Sequence, residues 1–184
     1  MVIEVTNPLK EILDASSIIN TRAIPPGTAF ITSPGVITEL KDKWSHFRMV
    51  SLLESGKIKI IPPEDIYVQK VIAAVQEVGS KISDVDIELL ALGLQFEDGI
   101  LVTDDLEIQN VATFLNMQYR AATKHQISVQ LQWIAICSGC KRQFSGLKHF
   151  DGMICDHCGS PLRKQARKIR KKSPSSRLRE GKQQ

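Results

Sequence analysis

No apolar run in this 184-residue chain approaches the roughly 20 residues that a helix needs to span a bilayer, which sets aside an integral membrane role. The opening, MVIEVTNPLKEIL, has no basic stretch followed by an apolar core and a small-residue cleavage site, so the expected location is the cytoplasm. Cysteine is scarce, with four residues in two close pairs, and in a reducing compartment such pairs read as metal ligands rather than disulfides. Self-similarity at a period of 20 to 50 residues is lacking too, which excludes a solenoid or array. What remains is enough chain for one ordinary core and one small satellite, with 42% hydrophobic and 24% charged residues, the balance of a soluble globular protein.

The net charge of +4 conceals an asymmetry. From Arg163 onward ten basic residues face one acidic residue, Glu180, whereas residues 1–162 carry 14 basic against 19 acidic residues. An acidic body with a basic tail suits a protein that holds cations in one place and polyphosphate in another.

Up to about residue 123, β-type runs alternate with helical ones, which predicts an α/β domain with a central parallel sheet flanked by helices. Leu9 to Leu13 reads as a first strand with Asp14 at its carboxyl end, followed by a short helix over Ser16 to Asn20. Pro34 and Gly35 introduce a helix carrying Glu39, and Glu39 is expected near the amino-terminal part of its helix. A helix through Val50, Leu52 and Leu53 ends at Gly56, and Ile58, Ile60 and Ile61 form a strand closed by Pro62 and Pro63. Val68, Val71, Ile72 and Val75 share one helical face. So do Ile87, Leu90, Ala91 and Leu94 in a helix that begins near Ser83 and bears Asp86 near its start. Ile100 to Val102 is a buried strand from which Thr103, Asp104 and Asp105 lead into a helix over Ile108 to Leu115. The divisions predicted are the α/β domain at 1–123, a connector at 124–132, a small β-type cysteine module at 133–162 and a basic tail at 163–184 without structure of its own. Alternation of Ile127, Val129 and Leu131 reads equally as the first strand of the module.

Cys137-x-x-Cys140 and Cys155-x-x-Cys158 have the spacing of paired knuckles around one zinc, and four thiolates leave no open position, so the zinc is expected to be structural. Gly139 and Gly159 ease the turns of the two knuckles. Phe144, Leu147 and Phe150 supply only a tiny core, so the module is expected to fold with its metal.

Asp14, Glu39, Asp86, Asp104 and Asp105 are the acidic residues of interest. Asp14 and the Asp104–Asp105 pair sit at carboxyl ends of strands, where open parallel sheets bind ligands. Clustered carboxylates call for a hard cation, Mg²⁺ or Mn²⁺. Taken singly, Asp14, Asp86 and Asp105 read equally well as helix caps and Glu39 as a solvated charge.

The series DASSIIN at 14–20, ITEL at 37–40, SDVDIELLALG at 83–93 and LVTDDLEIQNVA at 101–112 resembles the PIN-domain nucleases. With the four-cysteine ribbon and basic tail after it, the chain looks like an archaeal-type Nob endonuclease over about residues 8–162. That resemblance implies a divalent-metal-dependent endoribonuclease that trims the 3′ end of precursor small-subunit ribosomal RNA. It implies Asp14, Glu39, Asp86 and Asp105 as the catalytic Mg²⁺ or Mn²⁺ set, with Asp104 sharing or neighbouring the role of Asp105. The chemistry expected is hydrolysis by activated water, leaving a 5′-phosphate and a 3′-hydroxyl; it needs no histidine, and the chain has only four.

Lys141, Arg142 and Lys148 of the ribbon, with Arg163, Lys164, Arg167, Lys168, Arg170, Lys171 and Lys172, are the candidate RNA-phosphate contacts. Trp133, Phe144 and Phe150 are candidates for splayed bases. The partners expected are the ribosomal RNA precursor, the small-subunit precursor that contains it and an assembly-factor protein, with no membrane. Two other readings are a catalytically silent RNA-binding assembly scaffold and a toxin-type PIN ribonuclease acting on other RNA.

Overall fold

The structure, a computed structural model, describes residues 9–20, 28–123, 127, 129–146 and 152–169. Its first unit is built on β1 (Leu9–Leu13), β2 (Thr28–Thr32), β3 (Ile58–Ile60), β4 (Ile100–Val102) and β5 (Tyr119–Arg120). All four neighbouring pairs are parallel, in the order β3-β2-β1-β4-β5. The β-branched and apolar runs that make these strands bury Ile12, Leu13, Phe30, Ile31, Ile58, Leu101 and Val102 in one core. Helices α1 (Ala15–Asn20), α2 (Pro34–Glu39), α3 (Lys43–Glu54), α4 (Asp65–Val78), α5 (Asp84–Gln95) and α6 (Leu106–Phe114) connect them.

The strand order decides where a ligand fits. From β1 the chain moves outward through β2 to β3, then returns past β1 to lay down β4 and β5 on the other side. Connections leaving the carboxyl ends of β1 and β4 therefore diverge, and the crevice between them is the switch point at which open α/β sheets bind ligands. Asp14 follows β1 and Thr103 follows β4 directly at this crevice.

Helix α5 departs from a simple stripe. Ile87 and Leu94 are only half-buried, while Leu89 to Gly93 are all buried, because α5 packs against β1, β4, α2, α4 and α6 at once. A Cβ on Gly93 would meet the terminal methyl of Met117, the flexible end of a side chain that would shift to admit it.

The second unit is a three-stranded antiparallel sheet, β7-β6-β8, of β6 (Gln130–Cys137), β7 (Gln143–Phe144) and β8 (Leu162–Ile169). Of the two readings of the 124–132 stretch, Gln130, Leu131 and Gln132 follow the strand reading. The expected structureless tail is corrected for Arg163 to Ile169, which pair along the whole of β6, from Leu162 opposite Cys137 to Ile169 opposite Gln130. Tail residues 170–184 lie outside the described residues.

This sheet is seated on the first unit by polar groups. The Asn110 side chain reproduces a strand partner: its amide donates to the Leu131 carbonyl at 2.8 Å and its oxygen accepts from the Leu131 N–H at 2.8 Å. Gln109 accepts from Ile127 N–H at 2.9 Å, and Gln132 donates to the Glu77 carbonyl at 3.1 Å. Gly79, the left-handed residue that ends α4 (φ 72°), admits β6 so closely that an added Cβ would lie 2.7 Å from the Trp133 carbonyl oxygen. Among the described residues, no helix is long and apolar enough to cross a membrane.

Candidate active site and metal centre

Each acidic side chain at the crevice is placed by a local backbone need. Asp14 is buried and stands at the N-cap of α1, where its Oδ1 accepts from Ser17 N–H at 2.6 Å and from the Ser16 hydroxyl at 3.0 Å. The Ser17 hydroxyl donates to the Val102 carbonyl at 2.7 Å and Asp14 N–H to the same carbonyl at 3.4 Å, tying the ends of β1 and β4 together. Asp105 caps α6 through Oδ1, which accepts from Glu107 N–H at 2.7 Å and Ile108 N–H at 3.3 Å. Its own N–H is held by the Thr103 hydroxyl at 3.0 Å. Asp86 closes a capping box with Ser83, accepting from Ser83 N–H at 2.9 Å and donating its N–H to the Ser83 hydroxyl at 3.1 Å. In all three, one carboxylate oxygen makes these bonds and the other is left over.

Glu39 differs from expectation in position. It is the last residue of the six-residue α2, not near its start, and it is exposed. Helix α2 is drawn onto α5 by Glu88, whose Oε2 accepts from Gly35 N–H at 3.0 Å; a Cβ on Gly35 would lie 2.8 Å from that oxygen and 2.9 Å from a Val85 methyl. This contact, carried by a residue that the sequence reading did not single out, holds α2, which ends in Glu39, to α5, which carries Asp86.

The result is electrostatic frustration. Desolvation first, then the charges of Asp86 and Asp14, push the Glu39 carboxyl above the usual carboxylate range, with Lys41 opposing. The charges of Asp14 and Asp86, from two separate elements, thus both act on Glu39 from a third, and among the described residues none of the three has an ion-pair partner. Asp104 is engaged elsewhere: its Oδ1 accepts from the N–H and hydroxyl of Thr123 at 3.0 and 3.2 Å.

At the ribbon, Cys137, Cys140, Cys155 and Cys158 place all four sulfurs within 4.8 Å of one another, a group that can hold a metal ion. Closest approaches are 3.3 Å for Cys137 to Cys158 and 3.7 Å for Cys140 to Cys155, far beyond the roughly 2.05 Å of a disulfide. Cys140 N–H donates to the Cys137 sulfur at 3.4 Å. The hydroxyl and N–H of Ser160, then Cys137, lower the Cys158 thiol to about 5. The Cys140 thiol rises to about 11 although the Arg142 N–H opposes it, because desolvation and the three other sulfurs disfavour another thiolate. Four thiolates at this spacing need a cation among them.

The two knuckles turn alike, one residue after the second cysteine of each: Lys141 has φ 62° and Gly159 φ 69°. Gly139, expected to ease the first knuckle, is not left-handed; it matters because a Cβ would strike the Ser160 hydroxyl.

Of the candidate RNA contacts, Lys141 and Arg142 are exposed on the ribbon, and Arg163, Lys164, Arg167 and Lys168 are exposed along β8. Lys148, Arg170, Lys171 and Lys172 lie outside the described residues, as does Phe150. Trp133 and Phe144 serve the fold, being packed against the small core of Ala135, Cys137, Cys155 and Leu162. The Lys164 ammonium sits 4.1 Å above the Trp133 ring.

Comparison with known proteins places this geometry. A family model described as the PIN domain of ribonuclease matches residues 12–96. Endoribonuclease Nob1 of Methanocaldococcus jannaschii is 37% identical over 164 residues, which cover 88% of this chain and 80% of that protein. The chain belongs to the Nob1 endoribonuclease family. Its first unit is accordingly a PIN domain, and its cysteine unit is the small ribbon that follows. Endoribonuclease Nob1 of Pyrococcus abyssi is 34% identical over 157 residues, covering 84% of this Nob1-family chain and 92% of that protein. A protein named Ribonuclease VapC1 from Thermoplasma acidophilum is 33% identical over 157 residues, covering 83% of the chain and 76% of its own length.

Proposed function

We propose that this chain is a divalent-metal-dependent endoribonuclease that trims the 3′ end of precursor small-subunit ribosomal RNA in the cytoplasm, with the precursor subunit and its assembly factors as partners. The observation that carries the reading is that the Glu39 carboxyl is pushed upward by desolvation and by the charges of Asp86 and of Asp14 at the sheet's switch point, in a chain that belongs to a family of endoribonucleases. Like charges converging without an ion pair fit a hard cation, Mg²⁺ or Mn²⁺. Asp14, Glu39, Asp86 and Asp105 would hold it, and Asp104 braces the loop between β4 and α6 against Thr123.

When bound, the cation supplies charge for a developing oxyanion and a water of lowered pKa. The protein supplies placement. Asp14 and Asp105 are held by helix caps at the ends of adjacent strands, and Asp86 by its capping box, so the leftover oxygens are presented without reorganisation. Burial of Asp14 and Thr103 keeps bulk water from the floor of the crevice.

The cysteine cluster fits zinc. Four thiolates in a tetrahedron with zinc–sulfur bonds of about 2.3 Å stand about 3.8 Å apart, close to the 3.3 and 3.7 Å seen. A closed set of four thiolates makes this ion structural. Lys141, Arg142 and the basic face of β8 then offer phosphate contacts.

The test is cleavage of precursor small-subunit RNA spanning its mature 3′ end, with Mn²⁺ or EDTA, beside Asp86→Asn. Metal-dependent cleavage at one site, lost in the variant, is the expected result; tight binding without cleavage points to a scaffold. The likeness to a protein named Ribonuclease VapC1 favours one other reading, a ribonuclease of other RNA, and faster cleavage of transfer or messenger RNA in the same assay would select it.

A further inference from the structure

We propose that Trp44 and Phe47, at the amino end of α3, form a stacking platform for the bases of single-stranded RNA held beside the carboxylate site. The proposal rests on the nuclease reading for what lies next to the platform. Trp44 is 83% exposed and Phe47 70% exposed, in a chain whose other tryptophan is packed into the ribbon. Large aromatic side chains are seldom left this open without use.

The backbone beneath them is stiff. Asp42 caps α3, its Oδ1 accepting from Trp44 N–H at 3.0 Å and Ser45 N–H at 2.9 Å, and Ser45, Met49 and Leu52 are buried on the opposite side. Trp44 and Phe47 are three positions apart and share one side of the helix; Lys43 and Phe47, and Trp44 and Arg48, are four apart. Lys43 and Arg48 therefore flank the two rings, Arg48 with one nitrogen donating to the Ile19 carbonyl at 3.2 Å, and cations beside aromatic rings are the pattern by which proteins hold phosphates and bases of a single strand together.

Charge selects the occupant. Between Lys41 and Lys59 five basic residues face two acidic ones, although residues 1–162 as a whole are acidic. A nucleic acid is drawn to such a patch, whereas an aliphatic protein partner gains little from it. The apolar surface continues through Val50 and Leu53, but these are less exposed, at 47% and 39%, than the two aromatic rings.

Position supplies the link to catalysis. Buried Leu40 anchors the short connection between Glu39, at the end of α2, and the start of α3. Five residues from Glu39 to Trp44 span at most about 18 Å, about five stacked nucleotides at roughly 3.4 Å each. Bases flanking the scissile phosphate reach the platform without distortion of the chain.

The experiment measures binding of a labelled single-stranded oligoadenylate of about ten nucleotides to the full zinc-loaded chain without added Mg²⁺ or Mn²⁺, across a salt series. Trp44→Ala should weaken binding by roughly 5- to 150-fold, with Phe47→Ala in the same range and Trp44→Phe retaining most of the affinity. The slope of log Kd against log salt should stay unchanged in Trp44→Ala and become shallower in Lys43→Ala, which a merely structural defect would not reproduce. Unaltered affinity in both alanine variants overturns the platform. So does a wild-type dimer that Trp44→Ala dissociates while RNA affinity stays the same, which would assign the face to a second copy of the chain. Because the readout is binding with no Mg²⁺ or Mn²⁺ present, failure of wild-type cleavage in Mn²⁺ would overturn the nuclease reading alone.

Discussion

Asp14 separates two roles that one substitution at a time can resolve. Replacing it with alanine removes the acceptor of Ser17 N–H, a bond of 2.6 Å at a residue 1% exposed, and the acceptor of the Ser16 hydroxyl. Loss of an N-cap costs about 0.5–2 kcal/mol, and a buried N–H left without an acceptor costs about 1–3 kcal/mol. The two descriptions overlap in one bond, so the total expected is about 1–3 kcal/mol. Asparagine caps as well as aspartate, and Asp14→Asn also removes one of the charges that repel Glu39. Its stability should therefore match the wild type to within about 0.5 kcal/mol. Activity should order the variants differently: a lost cation ligand should cost more than the roughly 100-fold that loss of an outer-shell partner costs, in alanine and asparagine variants alike. Urea unfolding and Mn²⁺-dependent cleavage of the same preparations give both quantities. If Asp14→Asn cleaves RNA in proportion to its folded fraction, the residue is a cap and nothing more.

Three further outcomes are expected. Glu39, raised by desolvation and by Asp86 and Asp14, binds more protons folded than unfolded in the window above the ordinary carboxylate range. Metal-free protein should accordingly lose melting temperature as pH rises through that window, and Mn²⁺ should reverse the trend; identical pH profiles with and without the cation, or in Glu39→Gln, would refute the coupling. Removing the ribbon's metal with a chelator should unfold β6, β7 and β8 and expose Trp133, seen as a red shift of its emission, while the helical circular dichroism of the PIN domain persists. Gly79→Ala should destabilise by about 1–2 kcal/mol from its left-handed backbone alone and displace β6, whose Trp133 carbonyl would lie 2.7 Å from the new Cβ; unchanged urea unfolding would contradict that packing.

Strands β1, β3 and β4 were legible because they are short runs bounded by proline, glycine or aspartate, and the cysteine pairs because metal ligation depends on spacing that sequence displays; the two-residue β5, Tyr119–Arg120, carries no such run. Strand β8 was not legible either. LRKQARKI reads as a charged tail, and only pairing with β6 gives its backbone a partner, so its strand character is tertiary in origin. Gln109 and Asn110 look like surface residues by type, yet they are buried because their amides replace strand hydrogen bonds at Ile127 and Leu131. The candidate site was legible in its aspartates, each next to a strand end or helix start. Glu88 was not, although it lies within the 83–93 series, since its part, holding α2 to α5 through the Gly35 N–H, is a tertiary contact that sequence does not display.

Capping and cation binding, which compete as readings of Asp14, Asp86 and Asp105, are compatible in the structure because a carboxylate has two oxygens. One accepts from backbone N–H groups at the start of a helix, and this orients the other. The cap also places each of these carboxylates at the positive end of a helix dipole, a favourable position for a negative charge. Glu39 is placed differently: it ends α2, and desolvation, then the charges of Asp86 and Asp14, push its carboxyl upward. A cation bound beside Glu39 would oppose that rise. The metal affinity of the site should for that reason depend on pH through Glu39, and Asp86→Asn, by removing the largest charge effect on Glu39, should make that dependence shallower.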